Sequence, residues 1–320
     1  KMVVGASSMQ GWRATMEDAH TVFLTLPRLK APLKEDDGAI VAVFDGHCGS
    51  KCANLCSANI VHWLTLSPSY IAGDFSTGLT EAFIKGDESL ISALGDESGC
   101  TGVVCLIIGK TLHCASVGDS RAILCRGGEA KPLTQDHKPT LPEERKRIEK
   151  TGSFVTNGRV NGVLALSRAF GDFPLKEMSL PPHLRTISVV PDVTTTPLVP
   201  EDEFLIVACD GLFEIKSSEE LVQLVRRTLA TCQDDVALAC ELVMQECLGP
   251  SYQSKGSDNM SIIVVRLKDA TAGNGFTNVF EQTSPQSVSS PLLTSSGYHQ
   301  VPSGASEEGG GGTGEDLETQ

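Results

Sequence analysis

Short apolar runs rich in β-branched residues recur along the chain and are separated by turn-forming residues such as Gly, Asp and Asn. Runs of this kind predict β-strands. The predicted strands cover residues 39–44, 103–108, 111–117, 122–125, 204–209 and 260–267. Several neighbours are joined by hairpin-like breaks, and strand–helix–strand alternation is scarce, so the pattern favours antiparallel sheets.

Apolar positions at helical spacing predict five helices, at residues 49–66, 80–94, 142–150, 218–229 and 235–248. Ser218 is predicted to cap the fourth helix, and Asp234 or Asp235 the fifth. The helices gather in groups between the groups of strands. This order predicts an α+β fold, in which a central β-sandwich of two antiparallel sheets is flanked by helices.

Composition divides the chain into two parts. Residues 1–268 carry the apolar pattern and are long enough to bury one sizeable core. Residues 269–320 are rich in Ser, Thr, Gly and Pro, include an unbroken glycine run at 309–312, and are predicted to be a disordered tail. This tail holds seven acidic residues and no Lys or Arg, so half of the formal net charge of −14 belongs to it.

The remaining acidic charge argues against nucleic acid as a partner and suits a protein that binds hard cations. Eleven cysteines, an odd number without CxxC pairs, favour reduced thiols. With no signal peptide and no membrane-spanning run, we expect an intracellular monomer in the cytoplasm, the nucleus or both. The chain opens at Lys1, so membrane attachment through a further N-terminal segment stays open.

Four aspartates stand where predicted strands end or begin, each beside a glycine or a small polar residue: Asp45, Asp119, Asp210 and Asp258. Any one of them is explained equally well as an ordinary turn residue. Four such positions gathered at one edge would instead form an oxygen-only ligand set, which selects Mg²⁺ or Mn²⁺.

The segment from Arg13 to His20 adds a basic group to this chemistry. If it is extended, Arg13, Thr15 and Glu17 lie on one face. Arginine can hold two phosphate oxygens through its planar guanidinium, and a glutamate can accept hydrogen bonds from metal-bound water. A plain surface ion pair is the alternative interpretation of this segment.

Taken in order, the motifs of this sequence resemble those of the type 2C metal-dependent protein serine/threonine phosphatases. The resemblance covers most of residues 5–267 and is carried by Gly11-Trp12-Arg13, Met16-Glu17-Asp18-Ala19-His20, Phe44-Asp45-Gly46-His47, Gly118-Asp119-Ser120-Arg121, Leu166-Ser167-Arg168-Ala169-Phe170-Gly171-Asp172, Cys209-Asp210-Gly211 and Gly256-Ser257-Asp258-Asn259-Met260.

The resemblance implies a two-metal site at one end of the β-sandwich, occupied by Mg²⁺ or Mn²⁺. Its residues would be Asp45 as the ligand of both ions, the carbonyl of Gly46 on one ion, Asp210 and Asp258 on the other, and Glu17 through water with Asp18 nearby. A third, weaker ion would be held by Asp119. Glu214 stands where many members of the family have an aspartate for that third ion.

The resemblance also implies roles in catalysis. Arg13 would bind the substrate phosphate and His47 would protonate the leaving group. The expected activity is hydrolysis of phosphoserine and phosphothreonine in phosphoproteins by a metal-activated water, without a phospho-enzyme. A phosphatase-like fold that acts only as a regulatory binding module is the alternative; loss of a core carboxylate would indicate it.

Two further expectations concern residues beside this site. Cys48 replaces a glycine of the family pattern, so a positive φ there would strain the backbone. Arg168 and Asp172 are expected to form an internal ion pair beneath the site.

Overall fold

The structure is a computed structural model and describes residues 2–26 and 38–267. The tail predicted at residues 269–320 lies outside the described residues. Within them the strands are β1 (Val3–Met9), β2 (Ala19–Phe23), β3 (Gly38–Phe44), β4 (Gly46–His47), β5 (Gly99–Cys100), β6 (Gly102–Ile108), β7 (Thr111–Val117), β8 (Arg121–Arg126), β9 (Glu129–Pro132), β10 (Val155–Thr156), β11 (Arg159–Val160), β12 (Phe170–Gly171), β13 (Asp192–Pro197), β14 (Asp202–Ala208) and β15 (Met260–Arg266).

The long strands form two five-stranded sheets in which every neighbouring pair is antiparallel. The first sheet has the order β1-β15-β14-β8-β9 and the second the order β13-β7-β6-β3-β2. A small sheet, β12-β5-β4, and the hairpin β10-β11 lie outside them. The predicted α+β fold with a sandwich of two antiparallel sheets is confirmed.

Helices cover the outer face of each sheet. The helices are α1 (Lys51–Thr65), α2 (Pro68–Ala72), α3 (Phe75–Ala93), α4 (Pro142–Lys150), α5 (Asp210–Phe213), α6 (Ser218–Thr231) and α7 (Val236–Cys247). One core joins the facing sides of the two sheets to α6 and α7, and a second packs α1 and α3 on the other side of the second sheet. This four-layer arrangement leaves the ends of the sandwich, where strands meet loops, as the place for a polar site.

The structure differs from prediction at the start of α3 and in the residue that caps α6. α3 begins at Phe75 rather than at residue 80, because Asp74 caps it by accepting a hydrogen bond from the Thr77 amide at 3.1 Å. α6 is capped by Ser217, not Ser218. The predicted cap of the last helix by Asp235 is confirmed.

Candidate metal centre

Five aspartates lie at the same end of the sandwich because strands of both sheets end or begin there. Asp18 precedes β2, Asp45 follows β3, Asp119 follows β7, Asp210 opens α5 just after β14, and Asp258 stands two residues before β15. The aspartates predicted at strand ends therefore lie together at one end of the sandwich.

The closest approach at this end joins Asp18, Asp45 and Cys209, whose potential ligand atoms all lie within 4.8 Å of one another. Asp18 accepts a hydrogen bond from the Ser261 hydroxyl at 2.8 Å through Oδ2, whereas its buried Oδ1 has no hydrogen-bond partner. An unpaired buried carboxylate oxygen is costly unless a cation or water reaches it. This orphaned oxygen fits a metal ion at the site.

Cys209 is a neighbour of this centre that sequence reasoning did not identify. Its Sγ lies 3.5 Å from the Asn259 carbonyl oxygen, to which the thiol donates, and it accepts from the Ser261 amide at 3.1 Å. Burial raises the pKa of the Cys209 thiol well above its usual range. A single soft sulfur among carboxylates leaves a set dominated by hard oxygen donors.

Burial and the repulsion between these carboxylates both disfavour their ionised forms. Burial, followed by the charges of Asp210, Asp18 and Asp119, raises the pKa of Asp45 well above its usual range. The pKa of Asp210 is raised to about 7, first by burial and then by the charges of Asp119 and Asp258. A divalent ion between such carboxylates would offset both burial and repulsion.

Glu17 and Gly46 meet at the rim of this centre. Glu17 accepts a hydrogen bond from the Gly49 amide at 3.1 Å and one from the Thr15 hydroxyl at 2.9 Å. A Cβ on Gly46 would lie 2.3 Å from the Glu17 carbonyl oxygen, so glycine is required for β4 to approach this close. The strand considered for Arg13, Thr15 and Glu17 does not form, because bends and coil precede β2, which starts at Ala19.

Arg13 reaches the centre from an exposed position. Its Nη2 donates to Asp258 Oδ2 at 2.5 Å, with 58% of the arginine side chain exposed. Asn259 holds the segment that carries it: its side chain accepts from the Glu17 amide at 2.8 Å and donates to the carbonyls of Gln10 and Thr15 at 2.7 and 2.9 Å. Asn259 was not predicted as a site residue, although it directly follows Asp258.

His47 forms an ion pair with Asp172. Its Nε2 lies 2.8 and 2.9 Å from the two carboxylate oxygens. Burial alone would lower the pKa of His47, but the hydrogen bond and charge of Asp172 outweigh it, and the pKa is raised. His47 therefore keeps its proton to a higher pH than an unperturbed histidine does.

The expected pair of Arg168 with Asp172 is wrong. Arg168 instead donates to Glu144 Oε1 at 2.7 Å and to Asp192 Oδ1 at 2.8 Å. Asp172 has a left-handed φ of +52°, directly after Gly171 at +70°, and its carboxylate lies beside His47. Spacing in the sequence gave no signal for this change of backbone direction.

The two residues expected for a third ion differ in their exposure and in their partners. Asp119 is buried and accepts a hydrogen bond from the ammonium of Lys138, a partner that was not predicted. Glu214 is exposed at the C-terminal end of α5, where its charge adds to the raised pKa of Asp210. Cys48 is exposed and has a φ of +57°, as expected from its replacement of a glycine.

The chain belongs to the protein phosphatase 2C family, whose family model matches residues 2–256. It is 42% identical to "Protein phosphatase 2C homolog 2" of Hypocrea jecorina (strain QM6a), over 83% of this chain and 62% of that protein. It is 39% identical to "Protein phosphatase 2C homolog 3" of Schizosaccharomyces pombe, over 83% of this chain and 64% of that protein. The chain thus spans less than two thirds of the length of these relatives.

Solved structures show the same relationship. The chain superposes on the crystal structure of a phosphatase from a pathogenic strain of Toxoplasma gondii with a TM-score of 0.70 and 26% identity. The match covers 83% of this chain and 92% of that one. Among residues 2–26 and 38–267, no helix combines the length and apolar character that crossing a bilayer requires.

Proposed function

We propose that this protein is a Mg²⁺- or Mn²⁺-dependent protein serine/threonine phosphatase. The observation that carries the proposal is the gathering of Asp18, Asp45 and Asp210, whose pKa values are all raised by burial and by neighbouring carboxylates, beside an arginine and a histidine–aspartate pair. Family membership supports the same activity.

The proposed metal ligands are those of the sequence analysis. Asp45 would bind both of two ions, the Gly46 carbonyl one of them, and Asp210 and Asp258 the other, with Glu17 and Asp18 holding water around them. When bound, the ions would supply positive charge that activates a water and neutralises phosphate oxygens. The position of Asp45 between Asp18 and Asp210, whose charges both raise its pKa, supports the bridging role.

The remaining residues would act on the substrate directly. Arg13 is exposed and would exchange Asp258 for a phosphoryl oxygen, which would orient the substrate. His47, whose pKa Asp172 raises, would donate a proton to the departing seryl or threonyl oxygen. No protein nucleophile is needed, so no phospho-enzyme is expected.

A regulatory module without activity is less well supported. Each core carboxylate that the resemblance requires is present and lies at one end of the sandwich. Glu214 is the one departure among the carboxylates, and it concerns the third ion alone. Lys138 on Asp119 would have to move for that third ion to bind. The eleven free thiols support a reducing, intracellular compartment.

The test is phosphate release from a phosphothreonine peptide in Mn²⁺. EDTA should abolish release, and Mg²⁺ or Mn²⁺ should restore it. Asp210→Ala should nearly abolish the reaction, whereas Arg13→Ala should raise KM more than it lowers kcat, because Arg13 orients phosphate. Mn²⁺ binding by calorimetry without any hydrolysis would indicate the regulatory module instead, and preference for small phosphoesters would indicate another substrate class.

A further inference from the structure

Three buried cysteines lie together behind the strand that carries His47, at a place the proposed phosphatase chemistry does not use. Cys52 and Cys56 are one turn apart on α1, and Cys100 is on β5, which pairs with β4. The Sγ atoms of Cys52 and Cys100 are 3.6 Å apart, and those of Cys100 and Cys56 are 3.7 Å apart. All three side chains are fully buried.

The spacing of these sulfurs matches a set of metal ligands. Metal–sulfur bonds of about 2.3 Å to one ion place the sulfurs about 3.8–4.0 Å apart. The three Sγ atoms lie within 4.8 Å of one another and need to move only slightly to surround an ion. A disulfide, by contrast, requires two sulfurs at about 2.05 Å and an oxidant that reaches them.

The surroundings favour an ionised sulfur at Cys52, whereas burial raises the pKa of the Cys56 and Cys100 thiols well above its usual range, a cost that a bound cation would offset. Cys52 is in the first turn of α1, where the unsatisfied amides of the helix carry partial positive charge. The Cys52 amide is itself held by the Ser98 hydroxyl at 3.2 Å, which fixes the start of the helix. Hydrogen bonds from Cys100 and Cys56 lower the pKa of Cys52 to about 5.

Ligand chemistry selects the ion. No His, Asp or Glu of the described part of the chain joins the three thiols in this group. Sulfur-only surroundings suit Cu⁺, Zn²⁺ and iron–sulfur clusters, but structural Zn²⁺ sites and these clusters take four protein ligands, so three thiols favour Cu⁺. We propose that Cys52, Cys56 and Cys100 form a three-thiolate site for Cu⁺, separate from the carboxylate centre and tying α1 to β5.

The chain offers a matched control for this proposal. Cys105 and Cys114 face each other across β6 and β7 with their Sγ atoms 3.5 Å apart and are equally buried, but no third thiol of the described part of the chain joins them. Substitution of Cys105 by Ser therefore disturbs a close, buried sulfur pair without touching the proposed site. Cys48 is exposed and is removed by Cys48→Ser in every variant, so that a surface thiol does not take up copper.

The experiment is an anaerobic titration of the full chain with Cu⁺ held by a chromophoric chelator, in saturating Mg²⁺. The Cys48→Ser protein and its Cys105→Ser derivative should each withdraw one equivalent, with a new sulfur-to-copper absorption band. Cys100→Ser and Cys56→Ala should lose both. Equal uptake by all four proteins, or uptake by none, would overturn the proposal.

A second measurement avoids any change in the three ligands. X-ray absorption at the copper edge of the loaded Cys48→Ser protein should show a first shell of three sulfurs. A shell of two sulfurs, or of nitrogen and oxygen, would contradict the three-thiolate site even if copper binds. Zn²⁺ offered in the same way should compete poorly; tighter binding of Zn²⁺ would show that the ion has been assigned wrongly.

Discussion

At the scale of single residues, the pair of His47 and Asp172 lies so close to the backbone at Gly99 that no side chain fits there. A Cβ on Gly99 would lie 2.2 Å from Asp172 Oδ2 and 2.5 Å from His47 Nε2. Gly171 and Asp172 have positive φ angles of +70° and +52°, and this turn brings the carboxylate to the imidazole. Proton donation by His47 would thus depend on Gly99, a residue without a side chain.

Gly99→Ala should separate His47 from Asp172 and lower kcat by about a hundredfold, the lower limit of a general acid's contribution. Gly109→Ala is the control, because it lies in the turn between β6 and β7 with nothing within 4 Å of an added Cβ. Its positive φ should cost about 1 kcal/mol of stability without changing kcat. Steady-state kinetics on both variants test this prediction. A kcat of Gly99→Ala equal to that of the parent would refute the role of Gly99.

At the scale of elements, the start of α6 depends on one hydroxyl. The Ser217 side chain accepts from the Glu220 amide at 3.2 Å, and the Glu220 carboxylate accepts from the Ser217 amide at 2.8 Å. This reciprocal pair satisfies two amides that the first turn leaves free. The sequence offers Ser217 and Ser218 side by side, and only the backbone conformation of the structure distinguishes them.

Ser217→Ala should lower the free energy of unfolding by about 1 kcal/mol, because it removes the cap. Ser218→Ala, one residue later inside the helix, should change it by less than half as much. Chemical denaturation of the two variants measures this difference. Equal losses would show that the hydroxyl of Ser217 does not stabilise the helix.

The strands show why sequence predicts some elements and misses others. β3 is buried along its whole length, and β6 and β15 nearly so, and their continuous apolar runs predict them within one residue. β1 and β13 are edge strands with exposed Ser or Thr positions, and no apolar run marks them. In β1, Gly5 lets α7 approach, since a Cβ would lie 2.4 Å from the Val236 carbonyl group.

At the scale of the whole molecule, the candidate site is assembled from segments far apart in sequence. The strand-end aspartates were predictable because each carries a local turn signal. Asn259 and Glu17, which are 242 residues apart, meet only through the pairing of the sheets. Asp172 and Lys138 likewise become neighbours of the site through loops that no periodic pattern specifies.

Glu144 connects α4 to the loop that carries Arg168 and, through it, to β13. It accepts from Arg147 and Arg168 at 2.7 Å each, and Arg168 continues to Asp192. Burial opposes its charge, but the hydrogen bond from Arg168 and the charge of Arg147 prevail and lower its pKa to about 2. Its contribution to stability is therefore present above the unfolded pKa, near 4.5, and is lost as pH falls towards 2.

Glu144→Gln should reduce the free energy of unfolding by about 3 kcal/mol at pH 7, from a pKa difference between 4.5 and about 2. The deficit should shrink as pH falls below about 4.5. Glu143→Gln, at an exposed position on the same helix, should show no such trend. Denaturation at several pH values tests this, and a deficit independent of pH would count against the ionic origin.

The carboxylates at the end of the sandwich would form a metal centre, in which a bound divalent ion relieves the repulsion between their charges. The most direct measurement is the Tm of the parent and of Asp45→Asn, with and without saturating Mn²⁺, using Glu129→Gln on β9 as a surface control. Mn²⁺ should raise the Tm of the parent and of the control. Asp45→Asn should have a higher Tm than the metal-free parent, because a repelled, buried charge is gone, and Mn²⁺ should barely change it. An equal Mn²⁺-dependent rise in all three proteins, or a lower metal-free Tm in Asp45→Asn, would contradict the account.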